Sequence, residues 1–327
     1  MSDTLDIGLI GLGVMGQRML VRLAAHPRLR AAVVWDADPA ALARTLAAYP
    51  GCRAAGSAAA VIATPGLASL YIATPPGPHM ALSDAAFDAG LAVLCEKPLT
   101  TDFDAARRCI ARIDREGRRA AVNFSLASSP GLAALQAAWG DGNVARLGAL
   151  QQVDIGLAFA AWPRPWQAAA GAWLAQRAEG GFSREVLSHF VFVLQRVLGP
   201  ATVQRAQPVW PADGVGAETA LTAQLVAGGV PVTVNGRVGA DAPDDFNRML
   251  WQGSAGAIAL QDWFGLQQQS PGGSWQPQGD AAAMRAEGQA AQLEQWVALI
   301  EGRSHGLPGY AEALAVQQTI EALLAGA

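Results

Sequence analysis

The chain has 327 residues, half of them hydrophobic and 15% charged, which excludes a disordered protein and favours two globular domains. Its net charge of −4 gives no basic footprint for nucleic acid, and no Lys/Arg cluster suggests an anionic membrane surface. Ala-rich stretches are broken by Arg, Asp, Pro and Gly, so no apolar run reaches transmembrane length.

The first third alternates short apolar runs with helical stretches. Asp6 to Ile10 suits a buried parallel strand closed by Gly11, and a helix from Val14 to Ala25 follows. Leu29 to Trp35 is a second strand. Pro39 then opens a helix from Ala40 to Tyr49, as proline does at a first helical turn. Ser69 to Ala73 and Leu91 to Cys95 are further buried strands, separated by a helix from His79 to Ala89. A helix from Asp102 to Glu116 precedes a strand at Ala120 to Asn123. Repeated strand–helix units of this length predict a Rossmann-type, doubly wound parallel sheet over residues 1–123.

Beyond residue 123 the pattern changes. A helix near Gly131 to Trp139 leads to Gly142-Asn143-Val144, and strand-like segments begin at Leu147 to Phe159. They continue at Thr202 to Val209, Thr219 to Val226, Val230 to Gly236, Met249 to Gly253 and Ala257 to Leu260. Gly228-Gly229 forms a hairpin turn. The Gly- and Gln-rich stretch from Gln267 to Gly279 reads as a loop, and helices at Ala281 to Ile300 and Gly309 to Ala325 close the sequence. Residues 124–327 are therefore expected to form an α+β domain for substrate binding and oligomerisation. Cys52, Cys95 and Cys109 are odd in number and lack metal-ligand spacing, so they read as reduced thiols in a cytoplasmic protein, with no metal site. A strand only a few residues from Met1 leaves no room for a signal peptide.

The first crossover carries Gly11-Leu12-Gly13-Val14-Met15-Gly16. Its first glycine permits a tight turn, its second lets backbone approach a pyrophosphate, and its third lets the helix pack on the strand. Asp36 ends the next strand, where an acid accepts hydrogen bonds from ribose hydroxyls and repels a 2′-phosphate. Since no arginine follows it directly, NAD is favoured over NADP. Lys97 is the only lysine among 23 basic residues. An ammonium, unlike a guanidinium, loses its proton readily on burial, so a lone lysine is a candidate for proton handling.

Three further segments give the assignment a family. Ala73-Thr74-Pro75-Pro76-Gly77-Pro78-His79 follows one strand, Glu96-Lys97-Pro98 follows the next, and Gly90 precedes the latter. With the glycine loop and Asp36, this order resembles the Gfo/Idh/MocA oxidoreductases. The resemblance implies a Rossmann domain followed by a large, open, mostly antiparallel sheet, a tightly held dinucleotide, and a sugar, polyol or related substrate. It places the cofactor on Gly11, Gly13, Val14, Met15, Gly16, Asp36, Thr74, Pro75, His79, Glu96 and Lys97, and the substrate on Lys97. Glu96 orients the lysine or the nicotinamide ribose, or makes a structural ion pair. His79 is read first as a helix-capping or cofactor-packing residue and second as a chemical participant.

In the second domain, Gly180-Gly181-Phe182-Ser183-Arg184-Glu185 leads through Val186-Leu187-Ser188 to His189 and an apolar helix stopped by Gly199-Pro200. Glu185 and His189, four apart, share a helix face. Relatives carry Asp and His at this spacing; the longer Glu185, and Phe192 where relatives have an acid, are departures. His189 is the natural acceptor of a hydroxyl proton, with Glu185 orienting it and Lys97 polarising the oxygen, or Lys97 accepts the proton and His189 anchors. Arg184 binds a substrate hydroxyl or carboxylate, or pairs with a surface acid. Trp166, in the stiff loop Trp162-Pro163-Arg164-Pro165-Trp166, is a pocket-wall candidate. The expected activity is NAD-dependent hydride transfer to or from a CH–OH or C=O group, by a homodimer or homotetramer assembled through the open sheet. The rivals are a non-catalytic dinucleotide-binding sensor and a reductase of an imine or enone.

Overall fold

The computed structural model describes residues 4–140 and 147–326; the expected Gly142-Asn143-Val144 turn lies outside them. Six parallel strands form the first sheet: β1 (Leu5–Ile10), β2 (Leu29–Trp35), β3 (Arg53–Ala54), β4 (Leu67–Ile72), β5 (Ala92–Glu96) and β6 (Ala120–Asn123). Their order is β3-β2-β1-β4-β5-β6, with the chain reversing direction across the sheet between β1 and β4. That is the dinucleotide-fold order, and its ligand crevice lies at the carboxyl ends of the strands. Helices α1 (Val14–Ala25), α2 (Pro39–Ala48), α3 (Ala58–Ile62), α4 (His79–Asp88) and α5 (Phe103–Glu116) make the crossovers. Local chemistry sets their ends. Asp38 and Asp102 each accept two backbone N–H bonds at the starts of α2 and α5, and Gly117 closes α5 in the left-handed region at φ 62°.

The remaining helices are α6 (Pro130–Trp139), α7 (Ser188–Leu198), α8 (Ala281–Ile300) and α9 (Tyr310–Ala325). Two compact units emerge, one of residues 1–124 with 290–314 and the other of 125–289 with 315–327. A division at residue 123 does not capture this, because the first unit recruits a distant segment. Trp296, Val297 and Leu307 join Ile7, Leu9 and Leu94 in its core, and the Trp296 indole donates to Ser69 Oγ at 3.0 Å. Burying an indole of this size without an orphaned N–H is a strong tether.

The second unit holds an eight-stranded sheet: β7 (Leu150–Phe159), β8 (Ala201–Val209), β9 (Ala220–Ala227), β10 (Val230–Val238), β11 (Phe246–Gly253), β12 (Gly256–Gln261), β13 (Gly265–Gln269) and β14 (Gln276–Pro277). The order is β14-β13-β12-β11-β7-β10-β9-β8, antiparallel except for the β7–β10 pair. Period-two alternation buries Val153, Ile155 and Leu157 on β7, and Leu221 and Leu225 on β9. Thr222, Gln224, Asn235 and Arg237 on the opposite face are exposed. The polar stretch expected as a loop from Gln267 contributes β13 and β14 instead. Backbone pairing of β13 with β12 and of β14 with β13 overrides side chains of low strand propensity. No helix among the described residues is long and apolar enough to cross a membrane.

Candidate functional site

The glycine loop is shaped by close approach. Gly11 has φ +97°, and a Cβ there would lie 2.5 Å from the Ala73 carbonyl group; one on Gly16 would lie 2.1 Å from the Gly11 oxygen. These two glycines are required by the protein itself. Gly13 differs, because a Cβ on it would meet nothing within 4 Å. It precedes α1 without any side-chain cap, so the first N–H groups of α1, on Val14, Met15 and Gly16, face an open cradle. Asp36 stands one residue past β2. Its carboxylate accepts the Leu12 and Asp38 backbone N–H groups at 2.5 and 2.7 Å, which fixes it beside the loop and leaves lone pairs for further donors.

Along the same sheet edge, β4 and β5 end in buried polar atoms. Thr74 Oγ1 and Glu96 Oε2 have no hydrogen-bond partner among the described residues, as expected of groups awaiting a polar ligand. The open cradle, the fixed acid and these two atoms together fit a dinucleotide. Pro75, beside Thr74, is exposed.

Glu96 itself is 3% exposed. Its Oε1 accepts from the Tyr71 hydroxyl and from Asn123 Nδ2, while Gln292 of α8 donates to Asn123 Oδ1 at 2.7 Å and to the Phe124 carbonyl. Burial pushes the Glu96 carboxyl up from its ordinary range, opposed by those two donors and by the charge of Lys97. Burial, joined by the repulsion of Glu96, likewise raises the Tyr71 phenol well above its usual value. Lys97, next in sequence, is half-buried and joined to Pro98 by a cis peptide bond. The network thus fixes the strand end that carries the lysine. Tyr71, Asn123 and Gln292 escaped the sequence reading, since nothing in their spacing brings them to Glu96.

His79 corrects an expectation. Its ring is fully buried, with Nε2 2.9 Å from the Thr74 carbonyl and Nδ1 3.2 Å from that of Leu99. Both ring nitrogens are spent on backbone, so the side chain braces two loops and does not cap α4. Burial lowers its pKa, opposed by the carbonyl contacts.

In the second unit, the segment bearing Glu185 and His189 begins as a π-helical turn, Ser183–Leu187, before α7. The sequence predicts a plain α-helix there; π-turns are rare and frequent at functional sites. The double glycine serves the protein's own packing. A Cβ on Gly180 would lie 2.3 Å from the Leu174 oxygen, and one on Gly181 (φ +101°) 2.1 Å from the Glu218 carboxylate. Glu218, 1% exposed, accepts the Ser183 N–H at 2.7 Å and so anchors the start of the turn; burial raises its pKa. Glu185 is half-buried, and His189 is 4% exposed with its ring 5.2 Å from that of Trp263 at 78°. Phe192 is a fully buried core side chain, which accounts for an apolar residue at that place.

Arg184 makes one of its two expected contacts, the pair with an acid. Its Nε and Nη2 bind Glu321 at 2.6 and 2.7 Å, and Nη1 donates to the Arg177 and Gly180 carbonyls. All three nitrogens are engaged, so this side chain ties α9 to the glycine turn, which is the ion-pair alternative. Trp166 is 43% exposed and stacks against Arg164, whose guanidinium carbon lies 4.6 Å from its ring centroid. Arg164 is itself 4% exposed and paired with Asp245 at 2.8 Å. Among the described residues, no cluster of His, Cys, Asp or Glu has the makings of a metal site.

Known proteins share this construction. Residues 5–124 match the oxidoreductase family with the NAD-binding Rossmann fold, Gfo/Idh/MocA. Inositol 2-dehydrogenase of Mycolicibacterium smegmatis is 36% identical over 113 residues, 34% of this chain and 32% of that one. The chain thus matches about a third of the length of this curated relative. An oxidoreductase from Agrobacterium radiobacter, solved with NAD+, L-tartaric acid and magnesium, superposes with a TM-score of 0.81 at 19% identity, covering 97% of this chain and 94% of that one. A 3-ketoreductase from Actinomadura kijaniata, solved with NADP, gives 0.81 at 18% identity, covering 99% and 98%. The two likenesses carry the fold across the full length, and the match to the Gfo/Idh/MocA oxidoreductase family covers residues 5–124.

Proposed function

We propose that the protein is an NAD-dependent dehydrogenase or reductase that moves hydride between nicotinamide and a sugar, polyol or similar hydroxy or carbonyl compound. The observation that carries this reading is the position of the only lysine. Lys97 follows β5 at the carboxyl edge of the sheet that holds the glycine cradle, and a buried network fixes that strand end. The cradle residues Gly13, Val14, Met15 and Gly16 hold the dinucleotide's phosphates, and Asp36 holds its ribose hydroxyls, which favours NAD over NADP. When bound, the nicotinamide supplies the hydride acceptor or donor.

Lys97 hydrogen-bonds the reacting oxygen and lowers the energy of its alkoxide character; His189 takes the hydroxyl proton, and Glu185 orients the imidazole. The reverse assignment, with Lys97 as proton acceptor, is separated by Lys97→Arg. A guanidinium preserves the charge but stays protonated, so it retains part of the turnover only if the lysine polarises. Thr74 and Glu96 meet the cofactor through their unpartnered oxygens. Trp166 is the substrate-wall candidate. A second copy of the chain covers the exposed, polar sheet face, and the protein works in the cytoplasm.

The test is mass spectrometry of the denatured protein for released dinucleotide, then NAD(H) turnover over myo-inositol, other polyols and sugars. Released NAD and polyol turnover, lowered about 10²- to 10⁴-fold in Lys97→Ala and His189→Ala with NAD affinity nearly unchanged, supports the assignment. Bound NAD without turnover favours the sensor or the imine or enone reductase. Light scattering reads the oligomeric state.

A further inference from the structure

The turn between β12 and β13 holds two consecutive residues in the left-handed region, Asp262 at φ 51° and Trp263 at φ 71°. For a side chain as bulky as tryptophan this is a true outlier, kept only where the surroundings impose it. Glycine would meet the same turn without strain. What imposes the conformation is Asn247, 1% exposed, whose Oδ1 accepts the Trp263 N–H at 2.7 Å and whose carbonyl accepts the Asp262 N–H at 3.0 Å. What the turn secures is the place of one indole. That ring lies 5.2 Å from His189, nearly perpendicular to it, and 5.8 Å from Phe190, with the Arg164 guanidinium 6.0 Å from its centroid. The Arg164–Asp245 pair at 2.8 Å holds the guanidinium in place beside the ring.

A helix fixes the Cα–Cβ direction of a histidine but leaves its second torsion broad. We propose that Trp263 is a positioning residue of His189, holding the imidazole, alongside Glu185, in the orientation that proton transfer needs. The proposal rests on the reading of His189 as a participant in the chemistry, and the test separates the two.

The full-length protein labelled with ¹³C-histidine has four imidazoles, and the His189 ring resonance is the one lost in His189→Asn. Trp263→Leu keeps apolar bulk without a ring. It is expected to move the His189 resonance and to lower kcat for myo-inositol with NAD about tenfold to a hundredfold, as a displaced catalytic group does, with KM changed less than about threefold. Trp263→Phe restores most of both. Asn247→Ala, which frees the turn and leaves the indole in the sequence, moves the resonance in the same direction. An unmoved His189 resonance in Trp263→Leu and Asn247→Ala, with wild-type kcat, overturns the positioning role. Wild-type turnover in His189→Ala overturns instead the reading of His189 on which it rests.

Discussion

The two glycine pairs Gly11/Gly13 and Gly180/Gly181 look alike in sequence and do different work. In the first, one glycine yields to the protein's backbone and the other borders open space, which is what a ligand site requires. In the second, both positions are filled by the protein, by the 173–174 backbone and by Glu218. A double glycine therefore marks close approach, and only the identity of the approaching group tells a binding loop from a packing device.

Substitutions can break that contrast, and Gly16→Ala is expected to have the largest effect. Its Cβ would lie 2.1 Å from the Gly11 oxygen, so the loop must shift, costing about 3 kcal/mol of stability as well as dinucleotide binding. Gly13→Ala sharpens the comparison: stability falls by less than about 1 kcal/mol while NAD affinity, read by calorimetry, drops sharply. Equal loss of stability in the two variants would mean that the cradle is not open. Gly181→Ala is expected to cost about 2 kcal/mol in chemical denaturation, from its positive φ and the Glu218 contact, with no change in NAD affinity.

Smaller effects follow from the charged groups around the second pair. Arg184→Ala removes a two-pronged contact with Glu321 and should cost about 1–2 kcal/mol while leaving KM unaltered; a raised KM would restore the substrate role. Glu218→Gln tests the sign of a buried acid. Because burial raises the folded-state pKa of Glu218 above its unfolded value, its favourable contribution is complete below the unfolded pKa and is lost as pH rises through the folded one. The stability of the wild type relative to Glu218→Gln should therefore decline from pH 4 towards neutrality, and a rise would contradict the assigned burial.

These outcomes trace how far the sequence could be read. The glycine loop, Asp36 and the Glu96-Lys97-Pro98 turn were legible because each lies within a few residues of a strand end, where local spacing encodes geometry. The π-turn was not, since Glu218 sets its start from 35 residues away. Nor was the support of Glu96, where Gln292 reaches Asn123 across 169 residues. Trp263 left a faint signal at most, an aromatic residue beside an aspartate between two short strands. The capping role expected of His79 failed, and Arg184's two alternatives could not be ranked, because composition does not say whether a polar group is already satisfied. The strand at Gly265–Gln269 was hidden by its glutamines, which backbone pairing with β12 and β14 tolerates.

The solitary lysine has a practical corollary. Apart from the amino terminus, the chain offers one primary amine, and it stands at the end of β5. Reductive methylation with isotopic formaldehyde would install a single side-chain reporter beside the cradle, with no other ε-amine to mask it. Dinucleotide occupancy and the ionisation of that nitrogen would then be visible in one spectral line, before any substrate is known.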